Sequence, residues 1–96
     1  MKFSDAKREI LAALREHRYQ HEARAAQSQK NLLATGAISV DQAIGLVEAT
    51  RGNQATSSPH HADASVLVWV FRPVGWYVKF YLVDGAWFIS FHQAEP

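Results

Sequence analysis

Between Trp76 and His92 the chain reads WYVKFYLV, then Asp84-Gly85, then AWFISFH. Asp-Gly between two such runs, rich in aromatic and β-branched residues, is the strongest short hairpin signal a sequence offers. A two-residue loop also sets the register. Val83 then faces Ala86, Leu82 faces Trp87, Tyr81 faces Phe88, Phe80 faces Ile89, Lys79 faces Ser90, Val78 faces Phe91 and Tyr77 faces His92. Directly opposed residues share a sheet face, because side chains alternate with period two. One face is therefore Trp76, Val78, Phe80, Leu82, Trp87, Ile89 and Phe91, which must be covered. The other is Tyr77, Lys79, Tyr81, Val83, Ala86, Phe88, Ser90 and His92.

What precedes the hairpin has a different period. Ser4 is a candidate N-cap, and Ile10, Leu11 and Leu14, with Ala6 and Ala13, form an apolar helical stripe to about His17. A second helical stretch is expected over about Glu22–Thr35, stopped by Gly36. A third begins with Ser39 and Gln42 as a capping box, with Ile38 and Ala43 at the hydrophobic-staple positions; Ile44, Val47 and Val40 point inward. Residues 51–62, RGNQATSSPHHA, read as loop, and ASVLVWVFR from Ala64 reads as a strand ended by Pro73. That strand divides into Leu67, Trp69 and Phe71 on one side and Val66, Val68, Val70 and Arg72 on the other.

The expected architecture is one α+β domain over 1–96: two or three N-terminal helices (about 4–50) packed on a small antiparallel sheet (about 64–92). At 48% hydrophobic the chain can fill such a core. It holds no cysteine, which removes thiol chemistry, cysteine-ligated zinc and disulfides. There is no apolar run of membrane-spanning length, and MKFSDAKREI does not read as a signal peptide, so a soluble cytoplasmic protein is expected.

If the aromatic side of the first strand joins the core, Arg72 comes round to the face of Tyr77 and His92. A His, a Lys, an Arg and two Tyr on one sheet face suit a phosphodiester. Histidine exchanges protons near neutral pH, cations stabilise charge on phosphorus, and tyrosine hydrogen-bonds or stacks on a base. A one-sided antiparallel sheet also carries such residues on an ordinary wet face, and pattern alone leaves both readings open. Charge adds a second hint. Residues 1–30 carry seven Lys/Arg against four acids, and residues 31–96 carry three against five. A basic first third suits a polyanion, and equally a solvated mixed-charge helix. His60-His61 lacks the spacing of a helix-borne metal site, and no metal or other cofactor is assigned.

The run from Asp63 through Val70-Phe71-Arg72-Pro73, the block Tyr77-Val78-Lys79 and the closing Ile89-Ser90-Phe91-His92 resemble the motility quorum-sensing regulator (MqsR) toxins, small mRNA interferases of the RelE-like superfamily. The resemblance is strong over about a third of the chain and extends weakly to Arg24 and Leu32-Leu33…Gly36. It implies a RelE-like toxin fold and a metal-independent endoribonuclease, acting on free or ribosome-associated mRNA. Its partner would be a cognate antitoxin in a toxin–antitoxin hetero-oligomer. The family tyrosine matches Tyr77. The basic residue of the last strand is His92 here where lysine is usual; the strand glutamine is Val68, and the lysine ahead of it falls near Thr56. Transesterification by the RNA 2′-hydroxyl would then use His92 as acid or base, with His60 or His61 as its complement. Arg72 and Lys79 would stabilise the phosphorane, Tyr77 would orient His92 or the phosphate, and Tyr81, Arg18, Arg24 and Lys30 would bind RNA. Two rivals accompany this expectation: a non-catalytic RNA-binding module on the same fold, and a protein-interaction domain using a sheet edge or the first helix.

Overall fold

The computed structural model describes residues 1–22 and 31–94. Their elements are α1 (Phe3–Arg15), β1 (Tyr19–His21), α2 (Val40–Ala49), a short 3₁₀ turn (Gly52–Gln54), β2 (Ala55–Pro59), β3 (Leu67–Phe71), β4 (Trp76–Val83) and β5 (Ala86–Gln93). The strands form one five-stranded sheet in the order β1-β5-β4-β3-β2. The architecture is α+β, with two described helices.

Every cross-strand pair expected for the hairpin is present, from Val83 opposite Ala86 to Tyr77 opposite His92, and Trp76 opposite Gln93 extends it. Asp84 and Gly85 have φ of 50° and 79°. Two successive left-handed residues give the turn the twist of the flanking strands, which is why Asp-Gly is favoured there. β3 pairs antiparallel with β4, placing Phe71 opposite Val78 and Trp69 opposite Phe80. Those residues and Ile89 and Phe91 form one cluster with Ala6, Ile10, Ala13 and Leu14 of α1 and Ala43 and Val47 of α2. Phe71, Phe80, Phe91, Ile10, Leu14 and Ile89 are fully buried. Both described helices thus cover the apolar face. Leu82 escapes that cover at 39% exposed, as does Leu67 at 40%. Both lie toward the turn end of the sheet, beside Met1 and Trp87, around a shallow depression of about 200 Å³.

Local signals hold well in α2. Ser39 Oγ accepts from the Gln42 amide at 3.1 Å, and Gln42 Oε1 accepts from the Ser39 amide at 2.8 Å. Ile38 and Ala43 are both buried, as a staple requires. In α1 the apolar stripe is also as expected, but Lys2 is the N-cap, without a side-chain cap bond; Ser4 already lies inside the first turn.

Five expectations need correction. The sheet is mixed, because β1 runs parallel to β5, with Gln20 opposite Phe88 and His21 opposite Ile89. The first helix ends at Arg15, and His17, at φ 55°, reverses the chain into β1. Glu22 opens no helix. It continues β1, its amide donating to the Ile89 carbonyl at 3.0 Å, and residues 32–38 are turns and bends; the expected helix over 23–30 lies outside the described residues. The loop 51–62 contains β2, paired antiparallel with β3. An outer strand held by backbone bonds to one neighbour needs no apolar pattern, and Pro59 stands at its end, so its polar composition hid it. The strand expected from Ala64 begins only at Leu67. Asp63 closes the preceding turn by accepting from the Ser65 amide at 3.0 Å and the Ser65 hydroxyl at 2.6 Å.

Asn31 completes the outer side of β5. Fully buried, it donates through Nδ2 to the Ile89 carbonyl at 3.0 Å and accepts on Oδ1 from the Phe91 amide at 3.1 Å. The Leu32 amide then donates to the Phe91 carbonyl at 2.8 Å. Asn31→Ala takes the side-chain acceptor from the buried Phe91 amide and one of the two donors from the Ile89 carbonyl, which keeps the Glu22 amide. It should lower the unfolding free energy by about 2 kcal/mol, as read from the midpoint of urea denaturation at unchanged slope.

Candidate functional site

The register carries one set of side chains to the face opposite the helices: Gln20 and Glu22 in line with β1, Phe88, Ser90 and His92 on β5, and Tyr77, Lys79 and Tyr81 on β4. Val68 and Val70 on β3 and Thr56 and Ser58 on β2 complete the row. Two separate constellations stand on it.

The first is at the open end of the hairpin. Tyr77 and His92 are Cα partners, and their rings meet edge-on with centroids 6.2 Å apart. The Arg72 guanidinium lies over the Tyr77 ring, 5.5 Å from its centroid. The Pro73–Gly75 turn brings Arg72 there: Gly75 adopts φ 84°, the Trp76 amide donates to the Pro73 carbonyl, and the Ala94 amide closes onto the Gly75 carbonyl. Together with Trp76 and Gln93 these residues line a cleft of about 460 Å³. An exposed guanidinium, a phenol and a half-buried imidazole therefore converge on one concavity.

The second constellation is centred on Glu22, which is only 6% exposed. Its Oε1 accepts from Lys79 Nζ at 3.1 Å and from the Tyr81 hydroxyl at 3.4 Å, and its Oε2 accepts from the Ser90 hydroxyl at 3.3 Å. A buried carboxylate is tolerable when a cation and hydrogen bonds replace the water it lost. Three side chains from two other strands do so here. Lys79 is accordingly held against a carboxylate, its side chain 17% exposed.

The two loop histidines join this second group. His60 packs edge-on against Tyr81 with centroids 4.9 Å apart and stacks on His61 at 4.5 Å. His60 Nδ1 accepts from the Ala62 amide at 3.0 Å, so its neutral form carries the proton on Nε2. Beside them, the hydroxyl and then the amide of Ser65 hold the Asp63 carboxyl below the usual carboxylate range, with the nearby His60 adding to the effect. Tyr81 also stacks on Phe88 at 5.6 Å. Along β4, Tyr81 stands four residues from Tyr77, roughly 13 Å. His60 and His61 are thus grouped with Tyr81 rather than with His92.

Arg18 sits at the other end of the hairpin, in a recess beside Gly85 and Trp87. It pairs with Glu16 at 2.8 Å, and that hydrogen bond and charge raise the Arg18 pKa and lower that of Glu16. Arg24 and Lys30 lie outside the described residues. Among the described residues no group of three or more His, Asp or Glu is gathered to hold a metal ion, and no helix is long and apolar enough to cross a membrane.

Glu22 was not a sequence candidate. It lies in a polar stretch that reads as helical, and only the parallel pairing of β1 with β5 sets it beside Ser90. Comparison with protein-family models, curated protein sequences and solved structures returns no match.

Replacing Lys79 by Met removes the ammonium 3.1 Å from the buried Glu22 carboxylate. The variant should lose about 3 kcal/mol of stability, measured by chemical denaturation, and Glu22→Gln in the same chain should restore much of it.

Proposed function

We propose that the protein is a metal-independent endoribonuclease, the mRNA interferase toxin of a type II toxin–antitoxin pair, with its active site in the Arg72–Tyr77–His92 cleft. The observation that carries this reading is the convergence of a guanidinium, a phenol and an imidazole on one cleft. These are an anion-binding group, a hydrogen-bond donor and a group that exchanges protons near neutral pH. Two of the three, Tyr77 and His92, are also positions that the resemblance to the MqsR toxins singles out. The finer RelE-like form of the fold belongs to the same proposal, as do a cytoplasmic location, an antitoxin partner and action on free or ribosome-associated mRNA.

In the proposed reaction His92 removes the proton of the RNA 2′-hydroxyl, and the 2′-oxygen attacks the adjacent phosphorus. Arg72 holds the non-bridging oxygens as charge accumulates on them. The bond from phosphorus to the 5′-oxygen breaks, and that oxygen takes the Tyr77 hydroxyl proton, which the His92 imidazolium then replaces. The products are a 2′,3′-cyclic phosphate and a 5′-hydroxyl. His60 and His61, grouped with Tyr81, serve RNA binding in this scheme rather than proton transfer.

The stacked Tyr81 and Phe88 favour a second reading. A base-stacking surface whose lysine is held by a carboxylate, and so is not offered to phosphorus, suits an RNA-binding module without catalysis.

Purified protein with single-stranded RNA and EDTA should yield fragments ending in 2′,3′-cyclic phosphate. His92→Ala should slow cleavage by about 10²–10⁴-fold, and Arg72→Ala by about 10²-fold. Binding without fragments would select the second reading, and full activity in both His92→Ala and Tyr77→Phe would remove the mechanism.

A further inference from the structure

The carboxylate of Glu22 is out of place on a face meant for a polyanion. It is nearly buried, stands two residues along the sheet from the Tyr77–His92 pair, and takes the Lys79 ammonium at 3.1 Å. An RNA phosphate could recruit Lys79 only by breaking this pair and taking from a buried carboxylate the ammonium that stands 3.1 Å from it, which is unfavourable. Arg72, by contrast, is exposed and offers its planar donors without breaking such a pair.

We propose that Glu22 is a positioning residue that withholds Lys79 from the RNA backbone and so confines phosphate contact to the Arg72–His92 cleft. The inference rests on the endoribonuclease reading only in taking single-stranded RNA as the ligand of this face. Glu22 acts through Lys79 and touches no substrate. Its bonds to Tyr81 and Ser90 fix the carboxylate, and the carboxylate fixes the ammonium. Lys79 then serves the architecture of the face, and the cleft engages one phosphate of the strand rather than a run of them. Selecting a single scissile phosphate is the consequence, since a second accessible cation one residue pair away would favour shifted registers of the same strand.

Glu22→Gln keeps the shape and the hydrogen-bonding oxygen but releases the ammonium. The test measures the salt dependence of binding to a mixed-sequence 2′-O-methyl oligoribonucleotide, which the 2′-hydroxyl reaction cannot cut. Wild type, Glu22→Gln and the double variant Glu22→Gln/Lys79→Gln are compared, the last burying no unpaired charge from this pair. One added phosphate contact steepens the log–log salt slope by about 0.7 for a single strand. Glu22→Gln should show that steeper slope, and the double variant should return to the wild-type slope. In parallel, acylation of Lys79 by a small anhydride, mapped by mass spectrometry, should be severalfold faster in Glu22→Gln than in wild type. Equal slopes in wild type and Glu22→Gln, or equal Lys79 acylation, would overturn the proposal. A wild-type protein that neither binds nor cuts RNA would overturn the endoribonuclease reading instead, and the acylation result alone would then decide whether Glu22 holds Lys79.

Discussion

The pairing of β4 with β5 is the constraint on which the other elements depend. Two left-handed residues at the turn lock the two strands into one register, and that register divides their side chains between two faces. Its apolar half supplies Val78, Phe80, Ile89 and Phe91, the floor onto which α1 and α2 pack. The two remaining edges take the rest of the sheet. β3 and then β2 add beyond β4, and β1, Asn31 and Leu32 add beyond β5. A slip of one residue would turn every core aromatic to the other face, so core and site stand or fall on the same set of backbone bonds.

The face opposite the helices divides its chemistry by position along the strands. At the open end, the reversal through Pro73 and Gly75 gathers Arg72, Tyr77 and His92 around a cleft. Toward the turn, the parallel entry of β1 delivers a carboxylate that binds Lys79, Tyr81 and Ser90, and His60 and His61 pack against the same tyrosine. The two groups do different physical work. The first sets an exposed cation beside a half-buried imidazole; the second consumes its cation internally and ties three strands together through side chains. In the endoribonuclease reading, the first group carries the reaction and the second limits where the RNA backbone is held.

Much of this was legible in the chain because it depends on local rules. The hairpin and its register follow from Asp84-Gly85 and the alternation around it; the α2 cap follows from Ser39 and Gln42, and the α1 stripe from the spacing of Ile10 and Leu14. Alternation in β3 likewise sends Trp69 and Phe71 inward and brings Arg72 round to Tyr77. Where the reading failed, the deciding partner was far away. β2 is a polar outer strand whose bonds come from β3, so no pattern of its own announces it. The stretch around Glu22 is polar and suits a helix, yet the amide of Glu22 belongs to the Ile89 carbonyl, 67 residues on.

The sequence by itself determined the α+β class, the hairpin and the facing of Tyr77 against His92, since turn chemistry and period-two alternation act over a few residues. Only the tertiary structure decided that the sheet is mixed, that Lys79 answers to Glu22, and that His60 and His61 stand with Tyr81 instead of His92. Those outcomes rest on backbone pairing and charge burial between segments distant in the chain, and no local spacing encodes which strand edge a segment will meet.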